Sequence, residues 1–272
     1  MTREVPTDSV DDQAAQSATP APVASEAAAL QKEAAPAPTR ASRSKGIRLF
    51  LRDILIIFIA ALVISFLIKT FLIRSFYIPS ESMESTLLRN DRIIVSLLTP
   101  EPIAINRGDV VVFQDPGGWL TPTPKPDRSP LEEGIENVLA FVGLAAPDSE
   151  DHLIKRVIGL PGDVITCCDD FGHLTVNGVP LEETYTELPP GVTKATENDF
   201  EVTVPDDALW VMGDNRYNSS DSSYHHATSP GREYVPLEKV VGRAILITWP
   251  LDRWTWLDNY PLVFRGVDAA GD

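Results

Sequence analysis

Residues 49–83 read LFLRDILIIFIAALVISFLIKTFLIRSFYIPSESM, an apolar run that leads almost directly into a serine-rich loop. Between Ile54 and Ile73 only Lys69 is charged. Twenty residues at about 1.5 Å each make a helix of roughly 30 Å, the thickness of a hydrocarbon core. Lys69 stands four residues from the end of the run, close enough for its long side chain to reach an interface. A core helix of this length would show a polar face, and this run has none. The pattern predicts a transmembrane helix over 49–73. It ties any chemistry of Ile78-Pro79-Ser80-Glu81-Ser82-Met83 to the membrane surface.

Upstream, residues 1–39 are rich in Ala, Pro, Ser, Thr and Gln and hold almost no bulky apolar residues. They cannot bury enough surface to offset the entropy of ordering. Arg40, Arg43, Lys45 and Arg48 follow without an acid among them. The positive-inside rule then makes 1–48 a disordered cytoplasmic tail, with everything after Ile73 outside. A cleaved signal peptide has the same basic-then-apolar order. Here the apolar run is longer, the basic region begins 40 residues in, and SFYIPS offers no small-x-small site. The reading is a retained signal-anchor.

Downstream, the pattern turns to short β-type runs. Residues 92–98 (RIIVSLL), 109–114 (DVVVFQ), 153–158 (LIKRVI), 208–212 (ALWVM) and 240–249 (VVGRAILITW) are rich in Val and Ile. Asn177-Gly178 between Val176 and Val179 is a hairpin signal. Long helices do not alternate with these runs, so a mostly β, antiparallel domain is expected over 74–272. Residues 115–150 read as an insertion, with a short helix over 130–143. Ser129 can be its N-cap, Pro130 its first residue and Glu132 the acid of a capping box. That helix packs on the domain or dips into the membrane surface. Trp249, Trp254, Trp256, Tyr260 and Phe264 are core or an interfacial belt.

Net charge is −16, and residues 74–272 hold 32 acidic against 15 basic side chains. That balance argues against nucleic acid as a partner. Cys167 and Cys168 are adjacent, so no disulfide framework follows. A vicinal bridge, an intermolecular bond and two free thiols all stay open. No His/Cys ligand spacing and no Gly-rich phosphate loop appear, so no metal and no cofactor is expected.

Three segments carry chemistry-bearing residue types. Ser80 and Ser82 need a base nearby to become nucleophilic, and His152, His173, His225 and His226 lie in no recognisable triad context. Lys155 sits inside an apolar β run. It faces solvent or, if it points inward, loses charge by desolvation and becomes a general base able to activate Ser82. Residues 213–222, GDNRYNSSDS, form a polar loop after an apolar strand, either an ordinary turn or a source of groups that orient the lysine.

The order of anchor, IPSxSM, GDVVVF, KRVIGLPGD and GDNRxNSxDS across roughly residues 54–250 resembles bacterial type I signal peptidase, the leader peptidase family. The resemblance implies a Ser–Lys dyad protease on a β-rich extracytoplasmic domain, with Ser82 as nucleophile and Lys155 as general base. It implies an oxyanion hole from the Ser82 N–H and the Ser80 hydroxyl. Ser219 would hydrogen-bond the lysine, and Asp221 would support the loop. Phe76, Ile78, Met83, Leu87 and Ile154 would line shallow apolar pockets for small residues before the cut. The implied partners are signal peptides of exported preproteins, the lipid bilayer and the secretion translocon.

The chain departs from the family pattern at three places. Ser85 stands for the usual Pro, Glu81 for the usual Gly, and Ser223 for a common Arg. The arginine's salt bridge to Asp221 is therefore missing or supplied by Arg216. Two other readings compete. Self-cleaving Ser–Lys repressors bind DNA, which the acidic balance and the membrane segment oppose. A silent signal-peptide binder would have no need of Ser82, Lys155 and Ser219 together.

Overall fold

The computed structural model describes residues 40–120, 129, 131, 132, 134 and 151–270. Two compact units divide the chain, Met1–Asp53 and Ile54–Asp272. What is described of the first is helical. Helix α1 runs Arg40–Phe71, so it begins nine residues before the apolar run. The Arg, Lys and Ala residues there are good helix formers and extend the backbone ladder. Within it Gly46–Phe71 is long and apolar enough to cross a membrane, and none of its most apolar window is buried. It is not a core helix of this fold.

The helix ends two residues before the expected limit. Ile73 already belongs to strand β1 (Ile73–Tyr77), which pairs antiparallel with β2 (Arg92–Ser96), Phe76 opposite Ile93. β-branched and aromatic residues at 73, 76 and 77 favour a pleated, half-buried surface over another helical turn.

The rest of the second unit is two antiparallel sheets. The first has the order β1-β2-β11-β3-β4-β9-β10 and holds β3 (Val110–Gln114), β4 (His152–Gly159), β9 (Ala208–Met212), β10 (Val235–Pro236) and β11 (Val240–Trp249). A further strand, β12 (Thr255–Trp256), pairs with the C-terminal half of β11. The smaller sheet has the order β7-β6-β5-β8, from β5 (Val164–Cys167), β6 (Leu174–Val176), β7 (Val179–Pro180) and β8 (Phe200–Thr203). The Asn177-Gly178 hairpin joins β6 to β7, and both residues take positive φ, 51° and 78°, as a two-residue hairpin turn of this type requires. Two short helices follow, α2 (Ser222–Thr228) and α3 (Val267–Ala270).

Three apolar clusters fill the fold. One lies between the small sheet and β9, around Ile158, Leu174 and Trp210. A second joins Phe76, Ile78, Met83, Leu87, Ile93 and Ile154. A third holds Val111, Phe113, Trp119 and Val157. The insertion is described only at its edges. Ser129 and Glu132 form the expected capping box, with the Ser129 N–H and hydroxyl each donating to Glu132 Oε2 at 2.9 Å. Leu131, Glu132 and Gly134 are helical; Pro130 and 135–143 lie outside the described residues. The aromatic C-terminus divides. Phe264 is buried and Tyr260 packs on Tyr185 at 4.8 Å, whereas Trp249, Trp254 and Trp256 are exposed. Cys167 and Cys168 are bridged to each other.

Candidate active site

Lys155 occupies a central strand. β4 pairs with β3 on one side, Lys155 opposite Val111, and with β9 on the other. Residues 154–159 of β4 are all buried, so no solvent face is open to the lysine. Its side chain is turned inward and only 3% of the residue is exposed.

Ser82 is brought to it by apolar anchoring. Ile78 N–H donates to Asp91 O at 3.0 Å, and Leu87 N–H donates to Met83 O at 2.7 Å, which folds the intervening loop into turns. Met83 and Leu87, both fully buried, root that loop in the second cluster. Lys155 Nζ and Ser82 Oγ then stand 2.6 Å apart, with Ser82 itself 7% exposed. Ser80 Oγ lies 3.4 Å from Ser82 Oγ. Among the described residues, Ser82 N–H donates to no protein acceptor.

The 213–222 loop closes over the pair. Asn215 N–H donates to Ser82 O at 3.1 Å. Gly213 is there because nothing larger fits: a Cβ would fall 2.3 Å from Ser219 Oγ and 2.4 Å from Ser82 O. Asp221 is fully buried and is the N-cap of α2. Its carboxylate accepts from Gly213 N–H at 2.9 Å, Ser223 N–H at 3.0 Å and Ser223 Oγ at 2.7 Å. The serine at 223 therefore meets Asp221 through its hydroxyl and its N–H. Arg216 does not do so; it pairs with Glu183 at 2.5 Å.

One implied bond is not made. Ser219 Oγ is buried with no hydrogen-bond partner among the described residues, so it does not bond Lys155 in this structure. It lies close to Gly213 instead, where an added Cβ would fall 2.3 Å from its Oγ.

Desolvation pulls the Lys155 ammonium down from 10.5 to about 8, against the raising pull of Asp221 and Asp214. Asp214 is balanced in turn by Arg156. That pair is bidentate at 2.8 and 2.7 Å and neither side chain is exposed. The arrangement keeps a lysine neutral for a large part of the time near pH 8, beside a serine hydroxyl.

The histidines lie elsewhere in the bonding pattern. His225 stacks on Trp119, His226 faces Glu233, His173 faces Asp169 and His152 packs on Phe76. Among the described residues no group of three or more His, Cys, Asp or Glu is arranged to hold a metal ion.

Residues 51–249 match the family model described as signal peptidase, peptidase S26. The chain belongs to this family. A probable signal peptidase I of Mycobacterium leprae is 40% identical over 203 residues, 65% of this chain and 68% of that protein. Signal peptidase I of Mycobacterium tuberculosis is 37% identical over 224 residues, 76% and 75% of the two chains. A crystal structure of a signal peptidase I from Enterococcus faecalis V583 aligns with 51% of this chain and 95% of its own, at TM-score 0.32 and 24% identity. Membership makes this chain a hydrolase of the peptidase class and supports signal-peptide removal by a serine peptidase.

In this S26 chain, the residues implied for substrate contact, Phe76, Ile78, Met83, Leu87 and Ile154, gather in one buried cluster beside Ser82. Sequence reasoning passed over Arg156, Asp214, Glu183 and Tyr185. An arginine inside an apolar strand was a signal for the first. An acid two residues before a tyrosine, in a segment without periodicity, gave none for Glu183.

Proposed function

We propose that this chain is a membrane-anchored signal peptidase that cuts exported preproteins by a Ser82–Lys155 dyad. The observation that carries it is the 2.6 Å approach of Lys155 Nζ to Ser82 Oγ in a nearly water-free setting. Neutral Lys155 takes the Ser82 proton as Oγ attacks the scissile carbonyl. The tetrahedral oxyanion is met by the Ser82 N–H and the Ser80 hydroxyl, each worth about 2.7–4 kcal/mol by analogy with single-donor deletions. The Lys155 ammonium then protonates the leaving amine. An acyl-enzyme on Ser82 remains, and Lys155 activates the water that releases it.

Phe76, Ile78, Met83, Leu87 and Ile154 form the apolar floor on which residues before the cut rest. With Met83 and Leu87 fully buried and Ile154 7% exposed, little depth remains. Shallow apolar pockets accept the small residues at −3 and −1 of signal peptides and exclude larger ones.

Residues 1–48 lie in the cytosol, the apolar stretch of α1 up to Phe71 anchors the chain, and the domain that begins with β1 at Ile73 acts outside the cell membrane. Arg40, Arg43, Lys45 and Arg48 support that orientation. Exposed Trp249, Trp254 and Trp256 fit the interfacial level of the bilayer. The anchor keeps the serine at the depth where the cut site emerges, beside the secretion translocon, and raises its effective concentration there.

The test is cleavage, by the full chain in detergent, of a preprotein whose signal peptide ends in Ala-x-Ala. We expect one cut after the second Ala, lost when that Ala becomes Leu and lost in Ser82→Ala. A Ser82→Ala protein that still cut at the same bond would overturn the assignment.

A further inference from the structure

Outside the dyad, several buried charged and aromatic side chains meet at one segment. Residues 181–187 follow β7 of the small sheet and run to the 213–219 loop of the active site. Glu183 accepts from Arg216 Nη1 at 2.7 Å and Nη2 at 2.5 Å, and the two side chains are 5% and 1% exposed. Arg216 Nε donates onward to Gly213 O at 3.1 Å. Tyr185 OH donates to Glu183 Oε1 at 2.6 Å, and its ring lies 4.1 Å from the Arg156 guanidinium that holds Asp214. Glu187 N–H donates to Asp214 O at 3.0 Å. Ser85 Oγ, from the nucleophile loop, donates to Tyr185 O.

Apart from the Tyr185–Glu183 bond inside the segment, each of these contacts ends on a part of the chain that carries Ser82, Lys155 or Ser219. Ser85, where the family has proline, takes φ 85°, which proline cannot adopt, and gives its hydroxyl to this segment. A buried ion pair is a weak source of net stability, because desolvating two charges costs about as much as their attraction returns. What such a pair does well is fix geometry. Here it fixes the carbonyl of Gly213, the residue before Asp214; a Cβ added at Gly213 would fall 2.3 Å from Ser219 Oγ and 2.4 Å from Ser82 O.

We propose that Glu183 is a positioning residue for the cleavage reaction: through Arg216 it holds the 213–219 loop in register with Ser82 and Lys155. This rests on the dyad reading. The residues assigned to the substrate sit on β1, β4 and the nucleophile loop, so Glu183 acts on turnover and not on substrate affinity.

The experiment measures kcat, KM and Tm of the full chain in detergent on an Ala-x-Ala preprotein. It compares wild type, Glu183→Ala, Glu183→Gln and Ser82→Ala. For Glu183→Ala we expect kcat to fall roughly 10²-fold, the scale of a small misplacement of catalytic groups, with KM within about twofold. Glu183→Gln keeps one acceptor for Arg216 and should recover to within about tenfold of wild type. If Glu183→Ala does not fold, Glu183→Gln carries the test: a several-fold loss of kcat at unchanged KM supports positioning. A kcat within about twofold of wild type in the folded variant, whatever its Tm, overturns it. So does a loss lying wholly in KM. Normal turnover by Glu183→Ala beside an inactive Ser82→Ala refutes this proposal alone; cleavage by Ser82→Ala refutes the dyad and this proposal together.

Discussion

Replacing Lys155 by methionine should remove a specific part of the pH dependence of stability. In the folded chain burial holds the Lys155 ammonium at about 8, against 10.5 for a free lysine. Below pH 8 the folded and unfolded chains both carry the proton, and the fold bears the full cost of a buried cation. Between about 8 and 10.5 the unfolded chain still carries it and the folded chain has lost it. Stability therefore rises with pH across that window. Above 10.5 both states are neutral and the cost is gone. The gap between 10.5 and about 8 corresponds to about 3 kcal/mol, at about 1.36 kcal/mol per pH unit. The Lys155→Met protein has no ionisable group there and makes no such contribution. Whatever else the substitution changes in packing is the same at every pH, and all other titrating groups are shared. Urea unfolding of both proteins in detergent at steps from pH 7 to 10.5 gives the difference. Wild type should gain about 3 kcal/mol on the variant across the range, most of it above pH 8. A difference that stays flat would show that Lys155 keeps an ordinary pKa and is not a neutral base near pH 8.

Other perturbations probe the supports. Gly213→Ala puts a Cβ 2.3 Å from Ser219 Oγ and 2.4 Å from Ser82 O, so the loop must shift and kcat/KM should drop by roughly 10²-fold in a peptide cleavage assay. Asp163→Ala leaves Arg107, bonded to it at 2.7 and 2.8 Å, without its buried partner, and should cost about 3 kcal/mol in denaturant unfolding. Burial pushes the Asp163 carboxyl up, but Arg107, Leu160 N–H and Asn177 outweigh it and hold it below the usual range. That cost should therefore shrink as pH falls through the depressed pKa, where the wild type loses the same stabilisation. Trp119→Ala removes a ring packed between Phe113 and His225 and a bond to Arg232 O at 2.6 Å, a loss of about 3–5 kcal/mol by thermal unfolding.

Local patterns decided most of the fold. Strands β9 and β11 begin and end where their Val/Ile runs do, and Asn177-Gly178 turns where a positive-φ pair was read. The ends of α1 were less legible. A basic, helix-forming stretch does not differ in composition from a tail, and Ile73 changes from helix to strand only because β2 is there to pair with it. β5 and β8 alternate more and less buried residues, but over only four residues each, too short a run to stand out in the sequence. In the site, Ser82 and Lys155 were legible from motif order, and the structure adds why Lys155 turns inward: β4 lies between β3 and β9 and is buried on both faces. The Glu183–Arg216 pair was not legible, since it depends on contact between distant segments; the Ser223 hydroxyl on Asp221 is a local bond at the N-cap of α2, two residues apart. The Ser219–Lys155 bond implied by resemblance is absent among the described residues: Ser219 Oγ is buried without a hydrogen-bond partner.

Everything proposed for this site depends on Lys155 being the base that activates Ser82. Single-turnover cleavage of an Ala-x-Ala preprotein by wild type and Lys155→Ala, from pH 6 to 10, asks this directly. The wild-type rate should climb about tenfold per pH unit and level off near pH 8, as the lysine becomes neutral. The variant should cut at least about 10²-fold more slowly at every pH, the low end of what a positioned base contributes. A variant that cuts as fast as wild type, or a wild-type rate that is flat from pH 6 to 10, would mean that the base lies elsewhere.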